Sequence, residues 1–147
     1  PVLLISNSLE NTGTRRIRTE QYHHNFFAID DTPIGPDYRI DMFFTPTLSA
    51  DFSPVAGLDG NALVFFHDVE KSLFTNIFGF DATTDHNHVI IRNTATGAGV
   101  DIRGDYPISK YNFWTDGQTI CPELFVLVNI VPGESYSWSR KYTFLAE

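Results

Sequence analysis

The stretch Tyr136–Leu145, YSWSRKYTFL, places Tyr136, Trp138, Arg140 and Tyr142 at alternate positions. In an extended chain successive side chains point to opposite faces, so these four share one face of a β-strand. The segment before it, TICPELFVLVNI, is apolar and β-branched and ends at the turn PGES. Working outward, LLISNSLE, YRIDMFF, ALVFFHDV, SLFTNIFGF, HNHVIIRN and VDIRGDYPI read the same way. NTG, DDTPIGPD and TATGAG punctuate them as turns or loops, and TPTLSADFSPVAGLDGN is a long turn-rich connection. No long amphipathic helix is visible. The predicted fold is all-β, an antiparallel β-sandwich occupying residues 1–147 as a single domain.

The chain has 147 residues, 42% of them apolar and 19% charged, which suffices for one domain with a real core. Its net charge of -8 argues against nucleic acid and against anionic membrane surfaces as partners. No uninterrupted apolar run is long enough to span a bilayer. Cys121 stands alone, so no intrachain disulfide forms and cysteine usage offers no argument for secretion. The motif G-x-S-x-G is absent, as are phosphate-binding and dinucleotide-binding glycine patterns. The start, PVLLIS, enters a strand at once and without Met; either the initiator was removed or the chain starts inside a larger protein.

Two adjacent histidines interrupt an apolar segment, TEQYHHNFFAI, Thr19–Ile29. If it is extended, Glu20, Tyr22, His24 and Phe26 share one face, and Gln21, His23, Asn25 and Phe27 share the other. The two imidazoles therefore occupy different environments, one facing a core or cup and the other facing water or a second sheet; taken alone, each reads as a structural, hydrogen-bonded His ahead of a catalytic one. In DHNH, His86 and His88 stand two apart beside Asp85, a spacing that can supply two zinc ligands. No third ligand follows at a recognisable distance, so no metal is assigned. In ICPELF, Glu123 lies at the entry to a strongly apolar strand, where a carboxylate is costly unless it is partnered.

Taken in order, LENTGTRRIRTEQYHHNFFAID, GPDYRI, TDHNHVIIRNTATGAGVDIRGDYP and CPELFVLVNIVPGESYSWSRKYTF resemble the later half of the aldose 1-epimerases, the galactose mutarotase-like superfamily. In that family a His precedes an aromatic pair and an aliphatic residue after an N-T turn. HNFFAI matches and selects His24. A Glu stands shortly before a PGE-x-Y turn and a closing Y-x-F strand. Glu123, PGESY and KYTF match. A DH pair before a strand and a TG turn matches Asp85 and His86. The family's earlier half carries an N-x-x-H-G-G segment with a further substrate-binding His, and nothing like it stands here. The family's domain is also roughly double this length, so the chain resembles half of a large two-sheet supersandwich. The remainder would come from a longer chain, from a homo-oligomer completing the sheet, or not at all.

The resemblance implies interconversion of sugar anomers through the open chain by acid and base catalysis, without a cofactor. It assigns the acid to His24 and the base to Glu123. It gives Asp85 and His86 to sugar hydroxyls, with Asn25 as a further polar contact. Trp114 would stack on a monosaccharide or oligosaccharide; Trp138 is equally suited to the core. The alternative is a non-catalytic carbohydrate-binding or accessory β-sandwich. A third reading is an assembly fragment with no ligand of its own. The deciding geometry is whether His24 and Glu123 face one open cup about a sugar ring apart; opposite faces of a sheet would defeat the enzyme reading.

Overall fold

The computed structural model describes residues 1–146, and these form two antiparallel sheets with no helix among them. Twelve strands follow in order: β1 (Val2–Glu10), β2 (Ile17–Gln21), β3 (Tyr38–Met42), β4 (Thr47–Leu48), β5 (Ala56–Asp59), β6 (Ala62–Phe65), β7 (Leu73–Phe78), β8 (His88–Asn93), β9 (Gly99–Gly104), β10 (Ile108–Thr115), β11 (Ile120–Ile130) and β12 (Ser135–Leu145). The seven-stranded sheet runs β1-β12-β9-β8-β3-β6-β5; the five-stranded sheet runs β2-β11-β10-β7-β4. The expected all-β sandwich is what the chain adopts.

The period-two pattern explains the packing. From the seven-stranded sheet Ile40, Met42, Val89, Ile91, Val100, Ile102 and Tyr142 face inward; from the five-stranded sheet Ile77, Tyr111, Phe113, Ile120 and Leu124 meet them. Trp138 is 8% exposed and belongs to the core, packed with Val126, Val128 and Ile130, its indole N–H donating to Gln21 Oε1 at 2.7 Å. Its neighbour in the same alternation, Arg140, is 3% exposed and donates through Nη2 to the Leu124 carbonyl at 2.8 Å.

The β10–β11 turn sets the register on which the site depends. Asp116 Oδ1 accepts from the Gln118 and Thr119 backbone N–H groups and from the Thr119 hydroxyl. Gly117 sits at φ +87° against the Val69 carbonyl, where any Cβ would collide. From this turn β10 and β11 pair with Cys121 opposite Trp114 and Glu123 opposite Asn112.

The extended reading of Thr19–Ile29 needs one correction. The strand ends at Gln21, and residues 22–26 make no ladder, although Phe27 rejoins through a bridge to Ile120. Gln21 opposite Val126 and Phe27 opposite Ile120 share one register, so the intervening residues run alongside β11 without leaving alignment. Pro122 lies in the facing stretch of β11 and has no N–H to donate. Face parity survives the lost ladder: Tyr22, His24 and Phe26 are exposed, while His23, Asn25 and Phe27 are half-buried.

Phe113 is fully buried, so Phe113→Ala should destabilise the fold by about 3–5 kcal/mol in denaturant titration. Phe78 is 53% exposed, and Phe78→Ala should stay within about 0.5 kcal/mol of the parent.

Two histidines outside the candidate site link stability to pH. Burial pushes His23 below its ordinary 6.5, and Arg140 adds to the effect. Burial also pushes His88 below 6.5; Asp101 opposes the shift and Arg103 adds to it. A lowered folded-state value means the unfolded chain binds the proton more readily. Their contribution is therefore complete well above pH 6.5 and is lost as pH falls through it. Melting temperature should fall on acidification below about pH 6.5, and His88→Gln should flatten that fall.

Candidate active site

Alternation along β11 sends Leu124, Val126 and Val128 into the sandwich and Cys121, Glu123 and Phe125 to the outer face of the five-stranded sheet. Cross-strand partners share a face, so the register builds three parallel rows there. The middle row is polar: His24, Glu123, Asn112 and Asn76. On one side run Phe26, Cys121, Trp114 and Phe74; on the other run Tyr22, Phe125 and Lys110, with Phe78 beyond. Phe26, Phe74 and Phe78 are 60%, 51% and 53% exposed, so the face is open and aromatic.

Glu123 is buried at 6% exposure on this otherwise open surface. Its carboxylate is partnered from both neighbouring elements. Asn112 Nδ2 donates to Oε2 at 3.1 Å, and His24 Nε2 lies 3.2 Å from Oε1. The other ring nitrogen of His24, Nδ1, is 3.2 Å from the Cys121 sulfur. Burial, with Glu123 adding to it, pushes the Cys121 thiol up to about 12, so the sulfur keeps its proton. An ionised carboxylate only accepts, hence Nε2 carries the imidazole proton toward Glu123. In neutral His24, Nδ1 then accepts the S–H. Rings enclose the imidazole: Phe26 at 4.5 Å, Tyr22 at 6.0 Å and Trp114 at 6.2 Å between centroids.

His24 and Glu123 share one open face, but they touch rather than standing a sugar ring apart. Trp114 lies beside them, its ring edge-on to Phe26 at 5.7 Å. Asn25 points the other way: its amide donates to the Tyr142 hydroxyl at 2.8 Å, inside the sandwich. His23 faces inward too, with Nδ1 2.9 Å from the same hydroxyl and Nε2 3.4 Å from the Asn7 amide.

Asp85 and His86 are not joined to this cluster. They line a separate cavity of about 640 Å³ with Phe43, Thr84, His88 and Arg103, where His86 Nδ1 accepts the Asp81 backbone N–H at 2.7 Å. His88 is paired with Asp101 at 2.9 Å and stacked under Phe43 at 3.5 Å between ring centroids, so the H-x-H spacing does not converge on one point. A cavity of about 690 Å³ between residues 51–55 and 67–73 contains none of the His24–Glu123 cluster. On the open face of the five-stranded sheet, and in neither cavity, a buried carboxylate, an imidazole and a thiol meet.

The sequence reading missed Asn112, Asn76 and Cys121. Their signal is the same alternation that marks β10 and β7: Asn112 lies between the core residues Tyr111 and Phe113, and Asn76 between Thr75 and Ile77.

No protein-family profile and no curated protein sequence matches the chain. Solved structures do match. A candidate aldose 1-epimerase of Escherichia coli K12 superimposes with a TM-score of 0.72 at 15% identity, over 99% of this chain and 57% of its own. The Slr1438 protein of Synechocystis sp. PCC 6803 gives 0.73 at 13%, covering 99% and 51%. A GalM/aldose epimerase homologue of C. elegans gives 0.67 at 12%, covering 99% and 56%. The fold is thus shared with aldose 1-epimerase and galactose mutarotase-like proteins, and the chain spans about half the length of the structures it matches.

If Asn112 and His24 solvate the Glu123 carboxylate, Asn112→Leu should cost about 1–3 kcal/mol by leaving Oε2 buried and bare. Combining it with Glu123→Met should cost less than the single change, read by a double-mutant cycle in denaturant.

Proposed function

We propose that this chain carries the acid–base pair of a carbohydrate-active protein that, like the aldose 1-epimerases it resembles, interconverts sugar anomers. The observation that carries the reading is the buried Glu123 carboxylate in direct contact with the exposed His24 imidazole, inside an aromatic-flanked polar row. Mutarotation needs a proton delivered to the ring oxygen and another taken from the anomeric hydroxyl. Both oxygens are bonded to the same carbon, so adjacent groups can serve both.

The resting contact between His24 and Glu123 would be exchanged for two contacts to the sugar. Glu123 takes the anomeric hydroxyl proton while imidazolium His24 donates from Nε2 to the ring oxygen. The bond between the anomeric carbon and the ring oxygen breaks, leaving the open-chain aldehyde, neutral His24 and protonated Glu123. Rotation about the adjoining carbon–carbon bond and reclosure return both protons and yield the other anomer. Asn112 keeps Oε2 occupied and orients Oε1 toward the reaction. Phe26, Trp114 and Phe74 offer ring faces and edges to the apolar side of a pyranose, and Asn76 lies in the same polar row for hydroxyls.

A second reading has its own support. Exposed aromatic rows bind sugar without proton transfer, and Phe26, Phe74 and Phe78 make such a surface here. Under that reading the chain is a carbohydrate-binding domain. In either reading the rest of the sugar cup would be supplied by a longer chain or a second copy.

Polarimetry of freshly dissolved α-glucose and α-galactose separates the two. The catalytic reading expects acceleration over buffer, lowered about 10²–10⁴-fold by Glu123→Gln and by His24→Ala with the fold intact by circular dichroism. No acceleration, together with calorimetric oligosaccharide binding that survives both substitutions, would establish the binding reading instead.

A further inference from the structure

The donor atoms of His24, Cys121 and Glu123 all lie within 4.8 Å of one another, the only such three-residue group of metal-ligating side chains among the described residues. Nothing in the acid–base reading requires the sulfur. We infer that these three residues form a binding site for a thiophilic divalent cation of the zinc class.

The geometry is close to what such an ion needs. Zinc takes imidazole nitrogen and carboxylate oxygen at about 2.0–2.2 Å, so two of its tetrahedral ligands stand about 3.3 Å apart. The Nε2 to Oε1 separation is already 3.2 Å. A sulfur at about 2.3 Å from the ion would lie about 3.6 Å from each of the other two donors. The imidazole now spans its partners, one nitrogen toward each. An ion uses one nitrogen only, so the ring must turn and let sulfur and carboxylate close on the same point. The structure permits that turn: residues 22–26 have no ladder holding them, and the His24 side chain is 38% exposed.

The surroundings favour ligation over a bare cluster. Cys121 and Glu123 are at least nine-tenths buried and fixed on one strand, two residues apart on one face. Asn112 holds Oε2, leaving Oε1 as a single oriented ligand with its outer support in place. The ion replaces the thiol proton, which passes to solvent. Thiolate and carboxylate then balance a dication, and the fourth position opens toward the exposed aromatic face. One sulfur, one nitrogen and one oxygen suit zinc, cadmium and cobalt(II); magnesium and calcium favour sets made of oxygen. A bound ion takes the imidazole lone pair and the carboxylate oxygen, so metal and mutarotation would exclude each other.

Titrating the whole purified chain with cobalt(II) tests this without relying on activity. The expected result is a thiolate-to-cobalt absorption band in the near ultraviolet with intensified visible bands, saturating at one ion per chain. Zinc should displace it, and millimolar magnesium or calcium should not. Cys121→Ser should abolish the near-ultraviolet band. His24→Ala and Glu123→Gln should each weaken binding by roughly ten- to a hundredfold. No band with folded protein overturns the site. So does a band that persists undiminished in both His24→Ala and Glu123→Gln, which would mean an ion on the lone sulfur. These two variants retain Cys121 and decide the matter even if Cys121→Ser fails to fold. Should the parent also accelerate mutarotation, zinc should inhibit it and a chelator restore it; absence of mutarotation would leave the cobalt result standing.

Discussion

A desolvated carboxylate governs the five-stranded sheet. Glu123 sits near the middle of that sheet, where aromatic side chains keep water away, and such a group persists only if its oxygens are bonded. Its partners come from opposite sides, Asn112 on β10 and His24 on the segment that leads out of β2. Each can reach it only in one register. A slip by a single residue on either side would turn the partner's side chain to the core and leave the carboxylate bare. The Asp116 turn, Gly117 and the Phe27–Ile120 bridge therefore have consequences well beyond their own loops.

The two outer faces of the sandwich show how the same backbone supports opposite chemistry. On the seven-stranded sheet Arg39 pairs with Asp41 and Asp59, and Arg103 with Asp101, in a charged ladder facing solvent. On the five-stranded sheet the equivalent outward positions carry aromatic rings around one polar row. Charges and long side chains suit a face that stays wet. Rings suit a face that must desolvate a ligand while a few polar groups orient it. The fold is shared with structures about twice as long.

Much of this could be read from the residues. Alternation in YSWSRKYTFL put Tyr136, Trp138, Arg140 and Tyr142 on one face, which the structure turns inward, and parity in TEQYHHNFFAI separated His23 from His24 even though that segment forms no ladder. Parity works because it depends on extended backbone and not on hydrogen bonding. It could not say which side of the segment was the core, so Asn25 was given to the ligand when it bonds Tyr142 inside the sandwich. The DHNH spacing suggested convergence, but His86 precedes β8 and binds a loop amide while His88 is held by Asp101. Spacing along a chain predicts a shared face only where both residues belong to the strand.

The sequence by itself determined the strand periodicity, the all-β class and the separation of His23 from His24 onto opposite faces, because these rest on side-chain alternation within single segments. Only the tertiary structure decided that Asn112 and His24 flank Glu123, that Cys121 stands behind the imidazole, and that Asn76 extends the row. His24 and Asn76 are far from Glu123 along the chain, and Asn112 lies across a turn on the neighbouring strand. What joins them is the hydrogen-bonded register between strands, and register is a property of pairs of segments that no one segment contains.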